Sequence, residues 1–415
     1  MIVQSDCRHY SGYRPCGKRE DCAACPDYAP WAGQILVIKL AATGDVVRTT
    51  AILPGLHKHY HDHCITWLTD PSAIPILKTN PLINRLYPFT ADGLMAVLTT
   101  NYSLLLNFEK EPRAIGFARL VTSYLRKGFT ASRSGTPIAA DSDSQYALQL
   151  GLSDELKFRI NTKTYPQIIY EMAGLPYEGQ EYVLELGDES LRFAEQFAQR
   201  IRSHLASSAE AEPRAPASVS AEPRTSVSGP KVIGINTGCG TVFPTKRWTV
   251  DGFVELIEHL TQLPDVRLVL LGGPLEVDLN RAILERVGQL PVGLHPASAG
   301  VFDSGCHNTL EQFLGIIECC DIVVSADSLA MHLAIARKKQ VVALFGPTCH
   351  QEVDLFGRGE KIVTDFDCAP CYLTRCEKHP NCMEALRGAT VADAVRRCIE
   401  SSRAKKVVDS ATERD

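Results

Sequence analysis

The sequence predicts two α/β domains, each a parallel sheet with helices on its faces. Three observations predict this. Short β-branched runs alternate with helical patterns, once in each half of the chain. At 415 residues the chain exceeds what one ordinary core holds together. Between the two series, the composition changes abruptly to Ala, Ser, Pro and Glu over 206–230.

The elements follow in chain order. Residues 1–33 form a Cys-rich extension that precedes the first strand. QILVIKL, 34–40, is an apolar strand, broken by ATGD, 42–45, before VVRTTAILPGLHKHY resumes with helical spacing. CITWL, 64–68, and SLLLNF, 103–108, are further strands of a domain spanning 34–180. Leu191, Phe193, Ala194, Phe197, Ile201 and Leu205 place an amphipathic helix over 188–205, at the start of a second domain spanning 181–400. The stretch 206–230, with its loose EPR repeat, reads as a flexible insertion. Strands follow at 231–237, 267–273, 321–327 and 340–346, separated by helical patterns at 250–262, 276–287, 309–320 and 328–337. Residues 401–415 are a tail.

Composition excludes several function classes. Apolar content of 45% and charge of 22% are those of a globular protein. A net charge of −5 gives no whole-surface drive toward nucleic acid. No 18-residue apolar run spans a membrane, and the start lacks the basic-then-apolar order of a signal peptide. A cytoplasmic protein with reduced thiols is expected.

Ligands of parallel α/β sheets bind beyond the carboxyl ends of the strands, and two such sheets facing each other make a cleft. Four signals of the second domain fall at strand ends. They are INTGCGTVFPTKRW, LLGGPLE, SADSLAMHLAIA and LFGPT. Small residues at Gly238, Gly240 and Gly272 allow close backbone approach, and Lys246 and Arg247 supply cations. Asp327 and Ser328 open a helix that carries His332. Taken singly, an Asp or Ser before a helix is an N-cap. Together the four turns suit a pyrophosphate held at a helix N-terminus.

These motifs, with ILVIKLAATGDVVRTTAILPGL in the first domain, resemble the ADP-heptose:lipopolysaccharide heptosyltransferases, glycosyltransferase family 9, over roughly residues 34–386. The resemblance implies a GT-B fold of two Rossmann-like domains facing a central cleft. It implies inverting transfer with no metal in the reaction. By position it implies Asp45 as general base, Lys39 lining the cleft and Lys246 on the donor phosphates. Glu276 falls where the family contacts the ribose, and Asp327, Ser328 and His332 match its D-[ST]-G-x-x-H signature. Thr245 belongs to the same donor loop. Leu329 replaces the glycine of that signature, which bears on the identity of the donor sugar.

The chemistry stands on its own terms as well. An acceptor hydroxyl needs a base, and a leaving nucleoside diphosphate needs fixed positive charge. Asp45 and Lys246 suit those roles, although an Asp at a helix start also serves as a cap. The expected partners are a nucleotide-sugar donor, with ADP-heptose first by resemblance, and a glycan or glycolipid acceptor of the cell envelope. A protein acceptor, peripheral contact with the inner membrane and a homo-oligomer stay open. So do two other functions: an epimerase or hydrolase on the same fold, and a non-catalytic metal-cluster scaffold.

On the acceptor side, Arg126, Lys127 and Arg133 in YLRKGFTASRSG face either an anionic group or solvent. The histidines of HKHYHDHC sit at a helix end and read as solvated. Of the 15 cysteines, two groups of four stand out: Cys7, Cys16, Cys22 and Cys25, then Cys368, Cys371, Cys376 and Cys382. Four thiolates fit a structural zinc, iron or an iron–sulfur cluster, and thiolate softness does not choose among them. The resemblance makes the second group a candidate for iron-dependent assembly. The remaining seven cysteines read mostly as core residues.

Overall fold

The computed structural model describes residues 2–14, 16–209, 230–289 and 301–412. Apart from its ends, the expected insertion at 206–230 lies outside the described residues. The chain divides into two compact units. One comprises 1–153 and 166–183, and the other 154–165 and 184–415.

The first unit carries strands β1 (Gly33–Ile38), β2 (His63–Thr69), β3 (Arg85–Pro88), β4 (Tyr102–Asn107), β5 (Ser123–Ala131) and β6 (Pro137–Ala139). Its helices are α1 (Thr43–Thr49), α2 (Ile52–His59), α3 (Ile74–Leu77), α4 (Ala91–Leu98), α5 (Pro112–Leu120), α6 (Gln145–Leu150) and α7 (Tyr165–Ala173). The sheet order is β3-β2-β1-β4-β5-β6. All pairings are parallel except β5 with β6. Leu36, Ile38, Leu68 and Leu105 project from the central strands into a core closed by Val97, Phe117 and Val121.

One expectation needs correction here. The helical stretch 46–60 is two helices. Pro54 lacks the N–H that would bond the carbonyl of Thr50, so α1 and α2 part at Thr50 and Ala51. The histidines of HKHYHDHC lie at a helix end as expected: His57 and His59 end α2 and are exposed, as is His61, and His63 begins β2. Most of YLRKGFTASRSG is strand β5, paired with β4 over its first part and with β6 over its last.

The second unit carries α8 (Asp188–Ala209), β7 (Lys231–Asn236), α9 (Val250–Thr261), β8 (Val266–Leu271), α10 (Val277–Val287), β9 (Phe302–Asp303), α11 (Leu310–Cys319), β10 (Ile322–Ala326), α12 (Leu329–Ala336), β11 (Gln340–Phe345), β12 (Gly359–Val363) and α13 (Gly388–Thr412). The tail expected from 401 is, as far as Thr412, the end of α13. The order β12-β11-β10-β7-β8-β9 is wholly parallel. β10 and β11 are buried on both faces, which is why they read as unbroken apolar runs. In both sheets the order reverses beside the first strand, and such switch points place ligands at the strand ends.

Candidate functional site

In the second unit the reversal falls between β7 and β10. Asn236 ends β7 with a buried amide. Its Nδ2 donates to Gly238 O at 2.7 Å, Ser325 Oγ at 3.0 Å and Ser328 Oγ at 3.2 Å. One side chain thereby ties the glycine loop to the start of α12. Lys246 reaches the same place. Its Nζ donates to Asp327 O at 2.6 Å and lies 3.9 Å from the Asp327 carboxylate. Ser328 occupies the N-cap position of α12, but its hydroxyl makes no cap hydrogen bond. That hydroxyl lies 2.9 Å from Ser325 Oγ instead. The start of α12 is therefore uncapped by a side chain, beside the Lys246 ammonium. Amides, helix dipole and fixed cation together suit a diphosphate. His332 is buried one turn along α12, with Nε2 3.7 Å from Asp327 Oδ1.

The flanking turns build the wall. Glu276 is buried and accepts from Gly273 N at 3.0 Å, with Arg247 at 4.0 Å. Gly272 is required by packing, because a Cβ there would meet Asn280 Nδ2 at 2.9 Å and Glu276 Cβ at 3.0 Å. Gly240 has φ +74°, a backbone that side chains disfavour. Thr245 donates its hydroxyl to Leu373 O at 2.6 Å. Trp248, which closes the motif, is an anchor: it is buried, stacks edge-on against Phe253 and donates to Leu386 O at 3.1 Å. The structure thus brings Gly238, Lys246, Asp327, Ser328 and His332 to one strand-end cluster, with Glu276 turned inward beneath the loop.

In the first unit the reversal falls between β1 and β4. Lys39 is buried, and its ammonium donates to Glu109 Oε1 at 2.9 Å and Ala41 O at 2.7 Å. The same Glu109 oxygen accepts from the backbone of Leu40 and Ala41. Glu109 therefore fixes the turn that leads into α1. Asp45 sits in the first turn of α1, paired with Arg48 at 2.8 Å and partly exposed. Asn236 and Glu109 escaped the sequence reading. Their only signal is a polar residue closing an apolar strand, in GINT and LLNFE.

Arg126 donates to Val121 O at 2.8 Å, and burial pulls its pKa below the ordinary value. Lys127 is held by Asp141 at 3.0 Å and Asp143 at 2.5 Å. Arg133 is exposed. These three do not converge on a common point through any of these contacts.

All 15 cysteines are free thiols. Burial pushes Cys319, Cys349 and Cys398 up to about 11, and Cys349 and Cys398 are core residues as expected. Burial raises Cys382 to about 11 as well, helped by the charges of Cys371, Cys376 and Cys368 nearby. Yet among the described residues no three His, Cys, Asp or Glu side chains are placed to share one metal ion. No helix among the described residues is long and apolar enough to cross a membrane.

Comparisons with known proteins agree with the fold and the strand-end motifs. Residues 151–381, more than half the chain, match the model of glycosyltransferase family 9 (heptosyltransferase). Lipooligosaccharide heptosyltransferase 2 of Campylobacter jejuni is 26% identical over 179 residues, covering 42% of this chain and 53% of that protein. The chain thus spans about half the length of the curated relatives it matches first. Among solved structures, a family 9 glycosyl transferase from Veillonella parvula has a TM-score of 0.63 at 18% identity, over 89% of this chain and 98% of its own. The ADP-heptose lps heptosyltransferase II of E. coli has a TM-score of 0.61 at 17% identity, over 89% and 99%. At those identities the likeness bears on the fold, and it matches the two α/β units to GT-B heptosyltransferases.

Proposed function

The chain belongs to glycosyltransferase family 9, and from that membership we propose that it transfers a heptose-like sugar from a nucleoside-diphosphate donor to a cell-envelope glycan, with inversion. The observation that carries this reading is the strand-end cluster of the second unit. Lys246 meets the uncapped start of α12 there, and Asn236 locks the glycine loop against it. A leaving nucleoside diphosphate gains most from charge that is fixed before the bond breaks. Lys246 and the α12 amides supply such charge without reorganising. Asp45 is the general base of this proposal, taking the proton of the acceptor hydroxyl as the new bond forms. Arg48 and the α1 N-terminus hold its carboxylate in place. ADP-heptose as donor, and a lipooligosaccharide or lipopolysaccharide core as acceptor, come from the names of the relatives. Leu329, at the first position of α12, is where sugar preference would be set.

No metal enters the transfer step of this reading. At Cys368, Cys371, Cys376 and Cys382 the proposal keeps a structural role apart from the reaction, since the four thiols neighbour one another. Peripheral membrane contact and self-assembly follow from the proposed acceptor and family, and nothing in the mechanism depends on them.

The test is transfer from ADP-heptose to a truncated lipopolysaccharide core, with wild type and Asp45→Asn side by side. The variant should bind nucleotide normally and lose about 10²–10⁴-fold in turnover. Near-normal turnover removes Asp45 from the mechanism. Nucleotide release that is independent of acceptor removes the transferase reading in favour of hydrolysis.

A further inference from the structure

The segment before β1 is ordered, yet it has no core. From Ile2 to Ala32 no described residue is buried. The backbone is nonetheless tied together. Cys7 bridges Pro30, Arg8 N donates to Ala29 O at 2.9 Å, and Cys22 N donates to Ile2 O at 3.1 Å. Fixing each backbone residue costs about 1–2 kcal/mol. Such a segment cannot recover that cost from apolar burial, and small coreless modules recover it from disulfides or bound metal. Disulfides are absent among its cysteines, which are free and only half-buried.

The four cysteines instead line one space. Cys7, Cys16, Cys22 and Cys25 line a single cavity of about 510 Å³. Around it stand Arg14, Lys18 and Arg19 against Glu20 and Asp27, a surplus of positive charge facing four potential thiolates. The backbone N–H of Lys18 donates to Cys16 Sγ at 3.4 Å. Such N–H···S bonds tune sulfur ligands of metal centres.

We propose that this cavity holds an iron–sulfur cluster ligated by Cys7, Cys16, Cys22 and Cys25. The choice over zinc rests on geometry. Zn–S bonds of about 2.3 Å would draw four thiolates to within about 4 Å of one another. No three side chains among the described residues are so drawn. In a cluster each iron takes at most two of the thiolates, and inorganic sulfide fills the space between. Thiols that share one cavity without three of them meeting at a point suit that arrangement. The space also far exceeds a single ion, which needs no more than roughly the 30 Å³ share of one water. The cluster supplies the folding energy the segment lacks. This inference is independent of the transferase reading, because it uses none of the residues assigned to it.

The test uses the full chain purified without oxygen. Iron and acid-labile sulfide are expected in equal amounts, about two to four of each per chain. Both should vanish in Cys7→Ser/Cys22→Ser and persist in Cys371→Ser/Cys376→Ser. A second measurement needs no variant. Alkylation of the native protein, read by mass spectrometry, should spare the four N-terminal cysteines until iron is chelated. Zinc without sulfide, no metal at all, sulfide retained in the N-terminal variant, or immediate alkylation of these four thiols would each overturn the proposal.

Discussion

Single side chains carry two consequences that can be measured. Thr348, three residues past β11, is 3% exposed, and its hydroxyl has no hydrogen-bond partner among the described residues. A buried hydroxyl without a partner costs about 1–3 kcal/mol. Thr348→Val should therefore unfold no earlier than wild type in urea, and up to about 1 kcal/mol later. A clear loss of stability would mean that ordered water already satisfies the hydroxyl. Glu318 is the second case. Burial works to raise its pKa, but Arg337 at 2.9 Å and Lys339 at 3.4 Å outweigh burial and hold it below the ordinary value. A depressed folded pKa stabilises above the unfolded value, about 4.3, and that stability is lost as pH falls through the folded value. Glu318→Gln should thus cost about 1 kcal/mol near neutral pH, with the gap from wild type closing below about pH 4. A gap that is constant with pH would show that the pair contributes through packing alone.

Between elements, the loop around Lys246 and the C-terminal cysteine segment form one packed body. Tyr372 follows Cys371 and is stacked on Phe158 at 5.5 Å, with Lys157 over its ring at 4.0 Å. From the other side Phe243 of the loop meets it edge-on at 5.2 Å. Thr245 adds the hydrogen bond to Leu373 O. The loop that presents Lys246 is thereby braced by the segment that carries Cys368–Cys382. Tyr372→Leu should raise the donor KM about fivefold, equivalent to about 1 kcal/mol of lost loop preorganisation. It should leave kcat within about a factor of two if Lys246 holds the donor phosphates as proposed. An unchanged KM would show that the loop holds its shape without this brace. The same scale explains the divided helix after β1. Periodicity ran unbroken from 46 to 60, but the missing N–H of Pro54 outweighed it.

At the scale of the molecule, two units with separate cores should respond separately to ligand. The second unit packs around Ile235, Trp248, Leu256, Leu270 and Val324, and the first around Leu36, Ile38, Leu68 and Leu105. A nucleotide bound at the strand-end cluster stabilises only the unit that carries it, by about 2.7 kcal/mol at a hundredfold excess over Kd. Calorimetry with ADP should move one of two transitions upward and leave the other in place. A single transition that shifts as a whole would show that the units unfold together.

The sequence by itself determined the two α/β series, most strand positions to within two residues, and the strand-end turns around Lys246, Glu276 and Ser328. These are local properties, since apolar runs, glycine turns and helix starts depend on neighbours in the chain. It also showed which cysteines gather in groups. Only the tertiary structure decided what each polar group does. Asn236 and Glu109 look ordinary in sequence, and they become the ties of the two turns because parallel strands set distant residues side by side. Ser328 reads as a cap and is not one, because Ser325 and Asn236, brought to it by the sheet, take its hydroxyl instead. Hydrogen-bond partners are chosen by proximity in space, and a chain folded into a parallel sheet makes its nearest neighbours from residues some ninety positions apart.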